Sequence, residues 1–202
     1  MDEKKPSSKN KIIISVIIVA FIGPSVLSWF IFNHTNFLEA RGTSNYGTLI
    51  SPPVLLENYS LTDPNNSDRE DALYGKWSMI FVAETCEKVC MENVYRMRQI
   101  HIGIGKHSLR VQKVLFLTEQ NLNELSELLV NYPGQKVMRV ETSAQGVLLN
   151  KFSLGNTVDP IKSGYIYISD PLGNLMMSYP ADINPKGILK DLKKLLRASR
   201  IG

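Results

Sequence analysis

Histidine and cysteine are scarce in this chain, 3 and 2 of its 202 residues, and no zinc constellation stands out among them. Also missing are a glycine-rich phosphate loop, a Ser-His-Asp set and a paired-carboxylate site. Gly103-Ile104-Gly105 lacks a third glycine and follows a helical stretch, so it reads as a helix C-cap. Charge of one sign is scarce too. The formal net charge is +4, and half of it sits in residues 1–33, where four lysines face Asp2 and Glu3. What remains is too little for a nucleic-acid binder, so no nucleic-acid partner is expected. With 44% hydrophobic and 21% charged residues, extensive disorder is excluded as well.

What the chain does have is a long uncharged apolar run, Ile12 to Phe32. At ~1.5 Å of rise per residue it spans roughly 30 Å, the hydrocarbon thickness of a bilayer. Lys4, Lys5, Lys9 and Lys11 precede it, and only Arg41 follows closely. The positive-inside rule therefore predicts a cytoplasmic N-terminus, with residues 33–202 on the far side. Gly23-Pro24 predicts a kink, and Trp29, Phe30 and Phe32 suit the outer interface. A cleaved signal peptide would show an apolar stretch of about 7–15 residues and a small-x-small cleavage site, and neither is present. No face of the run is polar, which argues against a buried soluble helix.

The expected organisation is a cytoplasmic N-terminus (1–11), a transmembrane helix (12–32), a linker with an extended lead-in (33–75) and a folded domain (76–202). The lead-in NYGTLISPPVLLENYSL alternates but is interrupted by Pro52-Pro53, as in an edge strand or an irregular approach. LTDPNNSDRED is loop chemistry, and N-x-S/T triplets at Asn33, Asn58 and Asn65 are read as chance. From Lys76 onward, WSMIFVAE predicts a buried strand and EKVCMENVYRMRQIHIGIG a helix. VQKVLFLT is a second strand, NLNELSELLVNY a helix, and KVMRVET a third strand. YIYIS and NLMMSY form a hairpin around Asp170-Pro171-Leu172-Gly173, and ILKDLKKLLRASR closes the chain as an amphipathic helix after Asn184-Pro185. This β-α-β-α-β-hairpin-α order predicts a mixed sheet flanked by helices, an arrangement that includes the thioredoxin fold.

The two cysteines, Cys86 and Cys90, directly follow a strand and open a helix. Four residues apart on a helix, their Cβ atoms would lie ~5–6 Å apart, whereas a disulfide wants ~3.8 Å. Closure is expected to distort the first helical turn and to give a readily reduced bond. As thiolates the same sulfurs would converge on a soft cation such as Cu(I). The helix N-terminus lowers a thiol pKa. Glu84, Glu87 and Glu92 oppose that effect, and Lys88 and Arg96 partly offset them. A structural bridge closing so short a loop would stabilise little, which favours a functional pair.

With the tether, the strand ending in Thr85-Cys86, the C-x-x-x-C spacing and YIYISDPLGNL, the sequence resembles the Sco/SenC family across roughly residues 76–196. These are membrane-anchored thioredoxin-like proteins that help assemble the copper sites of cytochrome c oxidase. DPLGNLMMSYP and KDLKKLLRASRIG are further similar to a small group of single-pass bacterial inner-membrane proteins associated with cytochrome oxidase genes. Two departures stand out. Met91 follows the second cysteine where the family has proline, and the family's third copper ligand, a histidine, is replaced by Pro160, Lys162 or Tyr165, depending on alignment. His101 lies ~16 Å along the helix from Cys90, too far to share a metal. His34 adjoins the membrane and His107 a surface loop. Met176-Met177 reads as core packing, and Lys186, Lys190, Lys193, Lys194, Arg197 and Arg200 as a solvated basic face opposite Ile188, Leu189, Leu192, Leu195 and Leu196.

The resemblance implies an accessory factor for respiratory oxidase assembly, in a bacterial inner membrane with its domain in the periplasm. Its partner would be an oxidase subunit or another assembly factor, with the bilayer contacting residues 12–32. Cys86 and Cys90 would bind two-coordinate Cu(I) or act on copper-site thiols, with copper the only cofactor expected. An accessory role is favoured over an enzymatic one. The enzymatic alternative is a thiol–disulfide oxidoreductase in which Cys86 attacks and Cys90 resolves. The second alternative is a non-catalytic adaptor that retains the thioredoxin-like fold.

Overall fold

The computed structural model describes residues 8–34, 44–56, 61–62, 73–119, 130–140, 142–155 and 157–201. They fall into two units, one ending at Ser44 and one beginning at Asn45. The first is the helix α1 (Ser8–His34), which runs through Pro24. Its segment Lys11–His34 is long and apolar enough to cross a membrane, and its large side chains are exposed along its length.

The second unit contains β1 (Thr48–Leu55), β2 (Leu61–Thr62), β3 (Trp77–Ala83), α2 (Lys88–Ile104), a 3-10 turn (Gly105–Arg110), β4 (Val111–Leu117), β5 (Gln135–Val140), α3 (Thr142–Phe152), β6 (Ile166–Ser169), β7 (Asn174–Tyr179) and α4 (Pro185–Ala198). Among the described residues one seven-stranded sheet has the order β1-β7-β6-β3-β4-β5-β2. β3, β4 and β5 are parallel, while β6, β7, β1 and β2 pair antiparallel. This is the expected mixed sheet flanked by helices, with a thioredoxin-like arrangement.

β3 and β4 are buried on both faces, which explains their unbroken apolar reading. The period of two divides the core into two layers. Met79 and Phe81 meet Val94, Met97, Ile188 and Leu192 of α2 and α4. Ile80 and Val82 meet Leu148 and Phe152 of α3 on the other side. Asp170 builds the β6–β7 turn. Its Oδ1 accepts the N–H of Leu172 (2.9 Å) and Asn174 (2.8 Å), with Gly173 at φ 85°. Asn184 caps α4 by accepting the N–H of Lys186 at 2.9 Å, with Pro185 opening the helix.

The lead-in contributes a full edge strand, β1, whose pairing with β7 shifts register between Leu49 and Val54, where the prolines withhold N–H donors. The helix over 142–152 has no counterpart in the sequence reading. The expected helix NLNELSELLVNY lies outside the described residues but for its last three, as does most of LTDPNNSDRED.

Candidate functional site

β3 delivers the chain to the first cysteine, and α2 carries the second. Glu87 is the N-cap of α2, extended at φ −84° and ψ −163°, so Cys86 stands outside the helix and Cys90 within its first turn. A disulfide joins them, with Cα atoms 4.9 Å apart, inside the usual bridging range. This corrects the expected distorted turn. The pair does not occupy helical positions i and i+4, because the helix begins only after the first cysteine. Cys86 is half-buried, whereas Cys90 is 3% exposed and belongs to the core layer under α2.

A small cavity of about 250 Å³ borders Cys90. Its walls include Phe81, Ala83 and Val89, the charged residues Glu84, Glu87 and Lys88, and, from across the loop before β6, Ile161 and Lys162. Two acidic and two basic residues, all exposed, thus line one opening. Arg96, expected to help offset the acids, donates instead to the carbonyl of Ala181 at 2.6 Å. A larger cavity, about 910 Å³, lies between β1 and α3 and is mainly apolar. Its one charged residue, Lys151, donates to the carbonyl of Leu55 at 2.7 Å.

Of the three residues that could replace the family histidine, the fold brings Lys162 to the cysteine pocket. Pro160 is buried and does not line it. Tyr165 packs beside Tyr167, ring centroids 6.1 Å apart, in the layer under α3. His101 Nε2 lies 3.0 Å from the carbonyls of both Ser108 and Val111, a tie at the end of α2. His107 is in the 3-10 turn, and His34 stacks on Phe30 within α1. Met177 is 1% exposed core, as its reading expected, while Met91 and Met176 are half-buried against the same layer. Among the described residues no three His, Cys, Asp or Glu side chains come together as metal ligands. The donor set therefore does not fit a resident three-coordinate Cys-Cys-His copper.

Two buried polar groups escaped the sequence reading. Asp191 is 1% exposed and accepts hydrogen bonds from the N–H of Tyr46 and Gly47 and from the hydroxyl of Tyr179. The signal was its helical spacing, because Gly187, Asp191 and Leu195 lie on one line beside Ile188 and Leu192. Asn93, one turn beyond Cys90, is 3% exposed and donates to the carbonyl of Val89 at 3.0 Å.

Residues 77–199 match the family model described as a transmembrane-like, thioredoxin-like, C-terminal domain. No curated protein matches the chain. Among solved structures, yeast Sco1 superposes with a TM-score of 0.60 at 16% identity, covering 73% of this chain and 97% of its own. The Arabidopsis thaliana ScoI structure with copper bound gives 0.57 at 15% identity, covering 74% and 99%. A thiol:disulfide interchange protein from Bacteroides sp. gives 0.52 at 10% identity, covering 73% and 91%. At these identities the likeness is one of fold.

Proposed function

Because the chain belongs to the family of transmembrane-like, thioredoxin-like C-terminal domains, matched over more than half its length, we propose that it is a membrane-tethered accessory factor for respiratory oxidase assembly. Its reduced Cys86–Cys90 pair takes Cu(I) as cargo or acts on the thiols of a copper site. The observation that carries this reading is the pair itself. One cysteine is half-exposed outside a helix N-terminus and is bonded to a buried partner inside it. That arrangement suits reversible opening, with an accessible sulfur and a protected one. Reduced, the two sulfurs bring thiolates to one point, a donor set that selects Cu(I).

The partner is an oxidase subunit or another assembly factor. Residues 12–32 cross a bacterial inner membrane, with 1–11 cytoplasmic, 33–75 leading in and joining the sheet through β1, and 76–202 completing the periplasmic domain. The lysines before the helix support that orientation. A thiol–disulfide oxidoreductase is the second reading, and the disulfide in the fold favours it. There the reduced Cys86 thiolate attacks a partner disulfide and one partner sulfur leaves as a thiolate; Cys90 then attacks Cys86 and displaces the other, so two electrons pass from this dithiol to the partner's disulfide.

The test is an anaerobic Cu(I) titration of the full chain in detergent, reduced, against a chelating competitor, beside the Cys86→Ser/Cys90→Ser double variant. Stoichiometric binding lost in the variant supports the cargo reading. Absence of competitive binding removes it and leaves thiol exchange.

A further inference from the structure

Copper(II) held through sulfur takes further donors, nitrogen above all, whereas Cu(I) accepts two thiolates alone. Once the disulfide is opened, Cys86 and Cys90 supply two sulfurs. The cavity that Cys90 lines is bordered on another side by Ile161 and Lys162. That wall is built. Asp159 Oδ1 accepts the N–H of Ile161 at 3.0 Å and of Lys162 at 3.3 Å, and Ser163 N–H donates to the Asp159 carbonyl at 3.0 Å. Isoleucine has no donor atom, and an ammonium offers protons but no electron pair. Glu84 and Glu87 border the same opening. Even so, among the described residues no three acidic, histidine or cysteine side chains converge on one point.

We infer that Lys162 is the specificity-determining residue of this pocket. It fills the place of a third donor with an ammonium group and so restricts the reduced pair to a two-coordinate, soft, monovalent ion. This rests on the copper-cargo reading above. Copper(II) is then consumed instead of held. Two Cu(II) ions each accept one electron and become Cu(I), while the two thiols release two protons and join as the disulfide.

The experiment mixes the reduced full chain, in detergent and without oxygen, with Cu(II). It follows electron paramagnetic resonance and sulfur-to-copper charge-transfer absorption in the unaltered chain, Lys162→His and Lys162→Leu. Lys162 is exposed, so both variants are expected to keep the fold, which far-ultraviolet circular dichroism checks. The unaltered chain should lose the signal of two Cu(II) per chain and keep no charge-transfer band. Lys162→His should hold one Cu(II) with that band and with splitting from a nitrogen ligand. Lys162→Leu, which removes the charge but adds no donor, should follow the unaltered chain. Stable Cu(II) in the unaltered chain, no gain in Lys162→His, or a gain in Lys162→Leu each overturns the inference. The Cu(I) titration stands apart from these results. Its failure beside a gain in Lys162→His would remove the cargo reading and leave the role of Lys162, and the reverse pattern would do the opposite.

Discussion

The Asp191 carboxylate accepts the backbone N–H of Tyr46 at 2.7 Å across 145 residues of sequence, and that of Gly47 at 3.1 Å. The Tyr179 hydroxyl donates to the same oxygen at 3.2 Å. A buried acid on the last helix therefore fixes the point where the chain enters the sheet through β1. Replacing it by alanine leaves two backbone donors without their acceptor. Asp191→Ala should cost about 2–4 kcal/mol of domain stability. The loss is measured by pulse proteolysis of the full chain in urea, and hydrogen exchange should rise first at Tyr46–Leu49. An unchanged midpoint would mean that the tie contributes nothing.

Gly47 is required by the same joint. A Cβ at this position would overlap the ring of Tyr179, which is fully buried and cannot yield. Gly146, in α3, offers the contrast, since a Cβ there meets nothing within 4 Å. Gly47→Ala should destabilise by about 1–3 kcal/mol through overpacking. Gly146→Ala should stabilise by about 0.5–1 kcal/mol, because alanine loses less backbone entropy in a helix. Thermal melts of the two variants should move in opposite directions.

Alkaline pH acts through buried phenols. Burial holds the hydroxyls of Tyr167 and Tyr179 well above the ordinary value of 10.0, and the neighbouring Asp191 charge adds to the effect at Tyr179. Their folded pKa values are raised, so their contribution is complete below pH 10. Above it the unfolded chain releases protons that the native state keeps, and stability falls by about 1.4 kcal/mol per pH unit for each tyrosine. Lys113 works the other way. Burial, and then the charge of Arg98, lower its pKa from 10.5, so stability rises with pH until the unfolded lysine has titrated. The net decline should therefore steepen above about pH 10.5. Unfolding midpoints from pH 9 to 12 test this, and Tyr179→Phe should flatten the slope by one tyrosine's share.

Much of the fold was legible because strong patterns carried it. Trp77–Ala83 and Val111–Leu117 read as buried strands, and the Asp170–Gly173 turn joined its hairpin as expected. The start of α2 was expected at Glu87 and falls one residue later, at Lys88. Periodicity finds a helix but not its cap, and Glu87 offers no capping side-chain hydrogen bond to mark the boundary. α3 was missed because TSAQGVLLNKF mixes glycine and β-branched residues and packs only part of its face, through Leu148 and Phe152. Asp191 drew no reading of its own, because its backbone partners Tyr46 and Gly47 lie far away in sequence. Lys162 became distinguishable from Pro160 and Tyr165 once the loop before β6 was seen beside Cys90.

The unequal burial of the two cysteines sets the direction of any exchange. Cys86 is half-buried on the loop before α2, whereas Cys90 is packed at 3% exposure in the core layer with Val94 and Met97. An incoming thiolate needs access to the sulfur it attacks, so a mixed disulfide should form on Cys86 and release Cys90. Single variants separate the sulfurs. Cys90→Ser leaves Cys86 free and should be alkylated by iodoacetamide at least ~10-fold faster than Cys90 in Cys86→Ser, because access differs more than intrinsic reactivity. In denaturant the two rates should converge, which attributes the native difference to the fold. With a partner disulfide, the Cys86 thiolate of Cys90→Ser should attack and remain trapped as a mixed disulfide, and Cys86→Ser should form none. Equal native rates, or trapping through Cys90, would make the buried sulfur the reacting one and reverse the assignment of the attacked and leaving thiols.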